Sequence, residues 1–225
     1  MIIIQLVKNE NMKLYQRKPV WGMLAAGGIL SALMVIMENI IENRAVSSFW
    51  EIVAKTTLIG YQVTLIFVII IAAQLFANEY QWGTIRLLLL QPVSRSKIWL
   101  SKFIAALLYA WLGMAAAFVA GLMVAFCMPG FQGMTAGETV LNVFLPLGCK
   151  LLSFPLYIAV AIWLFVLSKS TIISLFLSLI FIYVTNLFLP FIAGLHPSAS
   201  LLMGTGMTVW VMAAGCSQFT KQEIL

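Results

Sequence analysis

Apolar runs of the length a bilayer demands recur along nearly the whole chain, and no other feature of the sequence constrains the fold so tightly. The densest extends from about Val53 to Ala77 and contains VTLIFVIIIAAQLFA. A helix needs about 20 consecutive, mainly apolar residues to cross the hydrocarbon core. Six stretches are candidates, with edges set to within a few residues: 20–37, 53–77, 98–127, 141–167, 171–193 and 201–216. Composition argues the same way. Of 225 residues, 63% are hydrophobic and only 9% charged, too few ionisable groups to clothe a soluble core. The alternation of lipid-facing and lumen-facing residues that marks an outer-membrane barrel strand is missing. The expectation is an all-α polytopic membrane protein, a single domain over 1–225 with six transmembrane helices and no soluble domain in the gaps. The fourth stretch is the irregular one. It is too long for one straight span and carries Pro146, Lys150 and Pro155, so its secure part is Leu151 to Leu167.

Orientation follows from Lys and Arg, which stay on the cytoplasmic side of short loops. With the N-terminus inside, the cytoplasmic segments hold Lys8, Lys13, Arg17, Lys18, Arg86, Arg95, Lys97, Lys102, Lys169 and Lys221, ten of the thirteen basic residues. Arg44 and Lys55 fall outside, with Glu38, Glu42, Glu51 and Glu138. Both termini are therefore expected in the cytoplasm, and the net charge of +6 reflects topology rather than nucleic-acid binding. The opening MIIIQLVKNENMKLYQRK has its apolar part before its charges, the reverse of a secretory signal. It reads as an amphipathic interfacial helix over 1–18, with Ile3, Leu6, Val7 and Leu14 toward lipid and Lys8, Lys13, Arg17 and Lys18 toward headgroups. Pro19 is expected to break it before the first span.

One polar, basic passage interrupts the apolar pattern between the second and third spans: NEYQWGTIRLLLLQPVSRSKIWLSK, Asn78 to Lys102. Glu79, Gly83, Arg86 and Leu90 recur at helical spacing and put a carboxylate and a guanidinium on one face. A short surface helix is expected from about Tyr80 to Leu90. Pro92 ends it. Ser94 then caps the following helix, with Val93 and Ile98 placed for a hydrophobic staple. Taken singly, Arg86, Arg95, Lys97 and Lys102 are positive-inside anchors. Together with the leucines and the turn, they read as a docking surface for a soluble partner.

The pattern ExxxGTxRxLLxxPVSRxxIxxxK, carried by Glu79, Gly83, Thr84, Arg86, Leu88, Leu89, Pro92, Val93, Ser94, Arg95, Ile98 and Lys102, resembles that of ABC-2 type exporter permeases, bacitracin-resistance and lantibiotic-immunity permeases above all. The resemblance implies a half-transporter in a bacterial cell membrane. It would pair with a second permease subunit, as a homodimer or a heterodimer, and bind an ATP-binding cassette ATPase subunit. It further implies that residues 80–90 act as a coupling helix with Glu79 at its hinge with the second span, and that Glu79, Tyr80, Gly83, Thr84, Arg86, Leu87, Leu88, Leu90, Pro92 and Arg95 contact or shape the ATPase interface. ATP and Mg would sit on the partner and no cofactor on this chain. The implied cargo is an amphipathic or antimicrobial peptide or a hydrophobic antibiotic. The irregular fourth span and the absence of a large external domain depart from some relatives, and the second departure weakens a reading as an exporter of lipid-linked polysaccharide.

The remaining residues agree with a chain that does no chemistry of its own. No GxxxxGK[ST] phosphate loop occurs, there is no Asp, and the lone His196 has no partner for a metal site. Lys150, a charge well inside an apolar run, either snorkels to the outer surface or contacts substrate. Asn186 and Pro190 in the fifth span are helix glue and a bend, or part of a substrate path. Gly113, Gly121, Gly204 and Gly206 mark close helix packing. Cys127 and Cys149 both fall near the outer face, where a disulfide is one alternative and free thiols the other. Two other functions stay open on the sequence: an exporter of ions or small drugs, and a membrane scaffold that docks a cytoplasmic protein without transporting anything.

Overall fold

The computed structural model describes residues 2–42, 49–81, 94–127, 138–195, 211 and 213–217. Six helices make up almost all of them: α1 Ile2–Tyr15, α2 Lys18–Glu42, α3 Phe49–Gln81, α4 Arg95–Cys127, α5 Glu138–Ser168 and α6 Thr171–Leu195. Four contain stretches long and apolar enough to cross a membrane, Lys18–Ile41, Phe49–Asn78, Ser96–Cys127 and Leu147–Ser168. In α6, itself Thr171–Leu195, the apolar stretch among the described residues is Thr171–Asn186. The expected sixth span, 201–216, lies mostly outside the described residues, which there include only Val211 and a helical turn at 213–217.

Three boundaries differ from expectation, each for a local reason. Pro19 does not break the N-terminal helix. The chain turns at Gln16–Arg17, and the Val20 amide already bonds back to the Arg17 carbonyl at 3.1 Å. Pro19 therefore sits in the first turn of α2, where its missing N–H leaves nothing unpaired. The second correction concerns the fourth span. Glu138–Ser168 is one continuous helix through Pro146 and Pro155, since apolar surroundings deny its backbone any partner better than the helix's own. The third is at Glu79. α3 runs unbroken through Glu79 and Tyr80 to Gln81, so neither a hinge at Glu79 nor a separate helix beginning at Tyr80 is present. Nothing in Ala77-Asn78-Glu79-Tyr80-Gln81 breaks a helix, and the first glycine comes only at residue 83.

The chain divides into two compact units, Leu14–Phe67 with Leu108–Leu152, and Met1–Lys13 with Val68–Leu107 and Ser153–Leu225. In the first, α3 and α4 meet along a seam of small residues at four-residue spacing, Thr56, Gly60 and Thr64 against Gly121, Ala117 and Gly113. A Cβ on Gly113 would lie 2.6 Å from Thr64 Cγ2, one on Gly121 3.2 Å from Thr56 Cβ, and one on Gly60 would overlap Ala117 Cβ. Close backbone approach is how helices gain packing energy where lipid removes the hydrophobic drive. The Thr56 and Thr57 hydroxyls donate back to the Ile52 and Val53 carbonyls, which satisfies them inside an apolar helix.

In the second unit, α5 buries Phe154, Ile158, Ala161, Ile162 and Phe165, one face at helical spacing. Ser174 of α6 donates to the Ala161 carbonyl at 3.0 Å, and the Tyr157 and Thr185 hydroxyls lie 3.1 Å apart. The α5–α6 connection is only Lys169 and Ser170. Lys169 takes the left-handed conformation (φ 51°) that ends many helices, and its amide bonds to the Phe165 carbonyl at 2.9 Å.

Candidate functional site

A buried ion pair ties three helix segments of one unit together. Lys102, two turns into α4, is almost fully buried, with 1% of its side chain exposed. Its ammonium donates to Glu10 Oε2 of α1 at 3.0 Å and to the Leu75 carbonyl of α3 at 3.0 Å, and lies 5.4 Å from the centre of the Phe76 ring. The other carboxylate oxygen of Glu10 accepts from Lys13 at 3.0 Å. Every component answers a need: a cation removed from water requires an anion and further acceptors, and the ring face adds electrostatic attraction. Burial alone would push the Glu10 carboxyl up. The positive charges of Lys102 and Lys13, and the hydrogen bonds they donate, outweigh it and hold the group below its ordinary value of 4.5.

Local sequence explains how these groups come together. Helical spacing puts Leu6, Val7, Glu10 and Leu14 on one side of α1. Glu10 and Leu14 are buried there, while Ile4, Lys8, Met12 and Lys13 are exposed. The apolar face expected to meet lipid through Ile3, Leu6, Val7 and Leu14 is thus in part a protein contact with a carboxylate at its centre. Lys8, Lys13, Arg17 and Lys18 are exposed as expected. On α3 and α4, Leu75 and Lys102 lie near the ends that flank residues 82–93.

The same three helices carry further polar atoms close in sequence to this tie. Asn11 Oδ1, Asn78 Nδ2 and Trp99 Nε1 are buried and find no hydrogen-bond partner among the described residues. Asn11 follows Glu10, Asn78 lies three residues after Leu75, and Trp99 three residues before Lys102. Each of the three helices therefore supplies one paired and one unpaired polar group within a turn of the other.

The sequence-predicted docking residues frame this cluster. Gly83, Thr84, Arg86, Leu87, Leu88, Leu90 and Pro92 lie outside the described residues. Glu79 and Tyr80 are in the last turn of α3 and Arg95 is the first residue of α4, with their side chains outside the described set. Ser94 holds the N-cap position, its carbonyl accepting from the Lys97 amide at 2.9 Å. Lys150 is half-buried on α5, its ammonium 5.2 Å from the centre of the Tyr61 ring of α3, so it turns to an aromatic face in its own unit. Asn186 is half-buried on α6, and the Pro190 side chain is outside the described set. Cys127 and Cys149 are exposed free thiols. Sequence reasoning took Lys102 for a surface anchor and missed Glu10. The available signal was the isolation of each: Glu10 is the one acidic residue before Glu38, and Lys102 the one charge in an apolar run from Ile98 onward to Glu138.

With this geometry in view, the family description "ABC-2 family transporter protein" matches residues 6–185, which takes in most of α1, the 79–102 passage, both members of the ion pair and most of α6. The chain belongs to the ABC-2 transporter family. Over 80 residues, 36% of its length, this ABC-2 chain is 41% identical to a protein of Bacillus subtilis (strain 168) named uncharacterized protein YhcI, and the match covers 24% of that relative. Family membership and the four long apolar helices make the ABC-2 chain a multi-pass membrane protein.

Proposed function

We propose that the chain is the permease subunit of an ATP-driven exporter, spanning a bacterial cytoplasmic membrane six times with both termini in the cytoplasm. It would pair with a second permease subunit and take its energy from a separate ATP-binding cassette subunit that holds ATP and Mg. The observation that carries this reading is the family match over residues 6–185. The resemblance of the Glu79–Lys102 pattern to bacitracin-resistance and lantibiotic-immunity permeases favours an amphipathic or antimicrobial peptide, or a hydrophobic antibiotic, as cargo. Residues 80–90, flanked by Glu79 and Arg95, form the ATPase contact, and Lys150, Asn186 and Pro190 border the path.

Affinity purification in mild detergent tests the reading, with wild type beside an Arg86→Glu, Leu88→Asp variant and mass spectrometry of the accompanying proteins. An ATP-binding cassette ATPase that accompanies wild type and falls at least tenfold with the variant is the expected result. If neither form retains such an ATPase, the exporter reading fails and a non-transporting scaffold takes its place.

A further inference from the structure

We infer that Glu10 and Lys102 are the positioning residues that make α1 move as one body with the ends of α3 and α4. The inference deepens the exporter reading, since those two helix ends flank the passage assigned to the ATPase contact. Three observations carry it. The pair is charged although buried, and two apolar side chains of similar volume would hold the same helices together without the desolvation cost; what a charged pair adds over an apolar contact is a fixed direction and register. The ammonium is shared between a carboxylate on α1 and a main-chain carbonyl on α3, so a shift of α4 changes its bonds to both other segments and a shift of either of those changes its bond to α4. Asn11 Oδ1, Asn78 Nδ2 and Trp99 Nε1, without a hydrogen-bond partner among the described residues, give the same segments one further acceptor and two further donors. A junction that is half satisfied in one arrangement has polar groups available to a second one.

The test separates positioning from simple stabilisation. In a background with Cys127, Cys149 and Cys216 replaced by serine, spin labels go on Ile4→Cys and Ser96→Cys, both exposed sites in the same unit. The distance distribution is then measured for three forms: the parent, Glu10→Leu with Lys102→Leu, and the reversed pair Glu10→Lys with Lys102→Glu. The expected result is a single narrow distribution for the parent and one at least twice as broad for the apolar pair, at a melting temperature within a few degrees of the parent. The reversed pair is expected to return most of the narrowing. ATP hydrolysis by the co-purified complex should fall at least fivefold in the apolar pair while the ATPase stays bound. An apolar pair with the parent's distribution overturns the inference, whether or not an ATPase is found. A broadened distribution with unchanged hydrolysis confines the pair to holding α1 and overturns its part in coupling. If the apolar pair fails to fold, the reversed pair decides, because a direction-setting pair tolerates exchange of its ends. The absence of any ATPase from wild type would count against the exporter reading and leave the distance measurement valid.

Discussion

Glu10 keeps its charge only because Lys102 and Lys13 face it, and that dependence gives a pH signature. Its carboxyl lies below the ordinary value of 4.5 in the folded protein, so the folded state holds its proton less readily than the unfolded chain does. The stabilisation is fully present above about pH 4.5 and is lost as pH falls through the lower folded value. Thermal unfolding in detergent should therefore be insensitive to this group from neutral pH down to about 4.5 and decline below it. Glu10→Gln should lower stability at neutral pH by about 3–5 kcal/mol, the penalty of leaving a buried ammonium without its anion. Its curve should lack the Glu10 part of the acid decline. An unchanged melting temperature for Glu10→Gln would show that the pair is not buried in the folded protein. The sequence did not disclose this pair, since burial of a lysine depends on a partner 92 positions away, and only tertiary packing joins them. The same residues appeared in the sequence as one charge on a basic surface helix and one more positive-inside anchor.

At the scale of elements, the apolar pattern predicted most helices closely because bilayer length and helix length are the same physical requirement. What it missed were boundaries set by backbone chemistry, at Pro19, at Glu79 and through Pro146 and Pro155. The glycines read as close contacts were legible in part. Gly113 and Gly121 do pack against α3, whereas Gly60, their counterpart on α3, drew no attention because it sits in a run rich in larger residues; Gly204 and Gly206 lie outside the described residues. The seam makes a sharp prediction. Gly113→Ala should cost about 1–3 kcal/mol, the range for overpacking, because its new methyl meets Thr64 Cγ2 at 2.6 Å. Thr64→Ser removes that methyl, so the double variant should recover at least half of the loss. Gly22→Ala, where nothing lies within 4 Å, should be neutral or slightly stabilising, since alanine is the better helix former. Equal melting temperatures for the two glycine variants would mean that α3 and α4 do not approach as described.

For the whole molecule, the strongest remaining expectation is orientation, because the positive-inside argument uses the charges of every connecting segment at once. Lys8, Lys13, Arg17 and Lys18 at the N-terminal side, Arg95 and Lys97 in the first turn of α4 and Lys169 between α5 and α6 fall on one side if α2, α3, α4 and α5 each cross once. Cys127, at the far end of α4 from Arg95 and exposed, then falls on the other. A helix of 33 residues spans about 50 Å at 1.5 Å per residue, more than the hydrocarbon core of about 30 Å, so both its ends reach water. With Cys149 and Cys216 replaced by serine, a membrane-impermeant maleimide should label Cys127 in intact cells. In a companion variant that also carries Cys127→Ser, a cysteine introduced at Ser96 should be labelled only after permeabilisation. The opposite pattern would invert the protein and place the 79–102 passage outside the cell, away from any source of ATP, which would remove the exporter reading along with the orientation. The two cysteines thus test topology and energy supply in one measurement, independently of what the transporter carries.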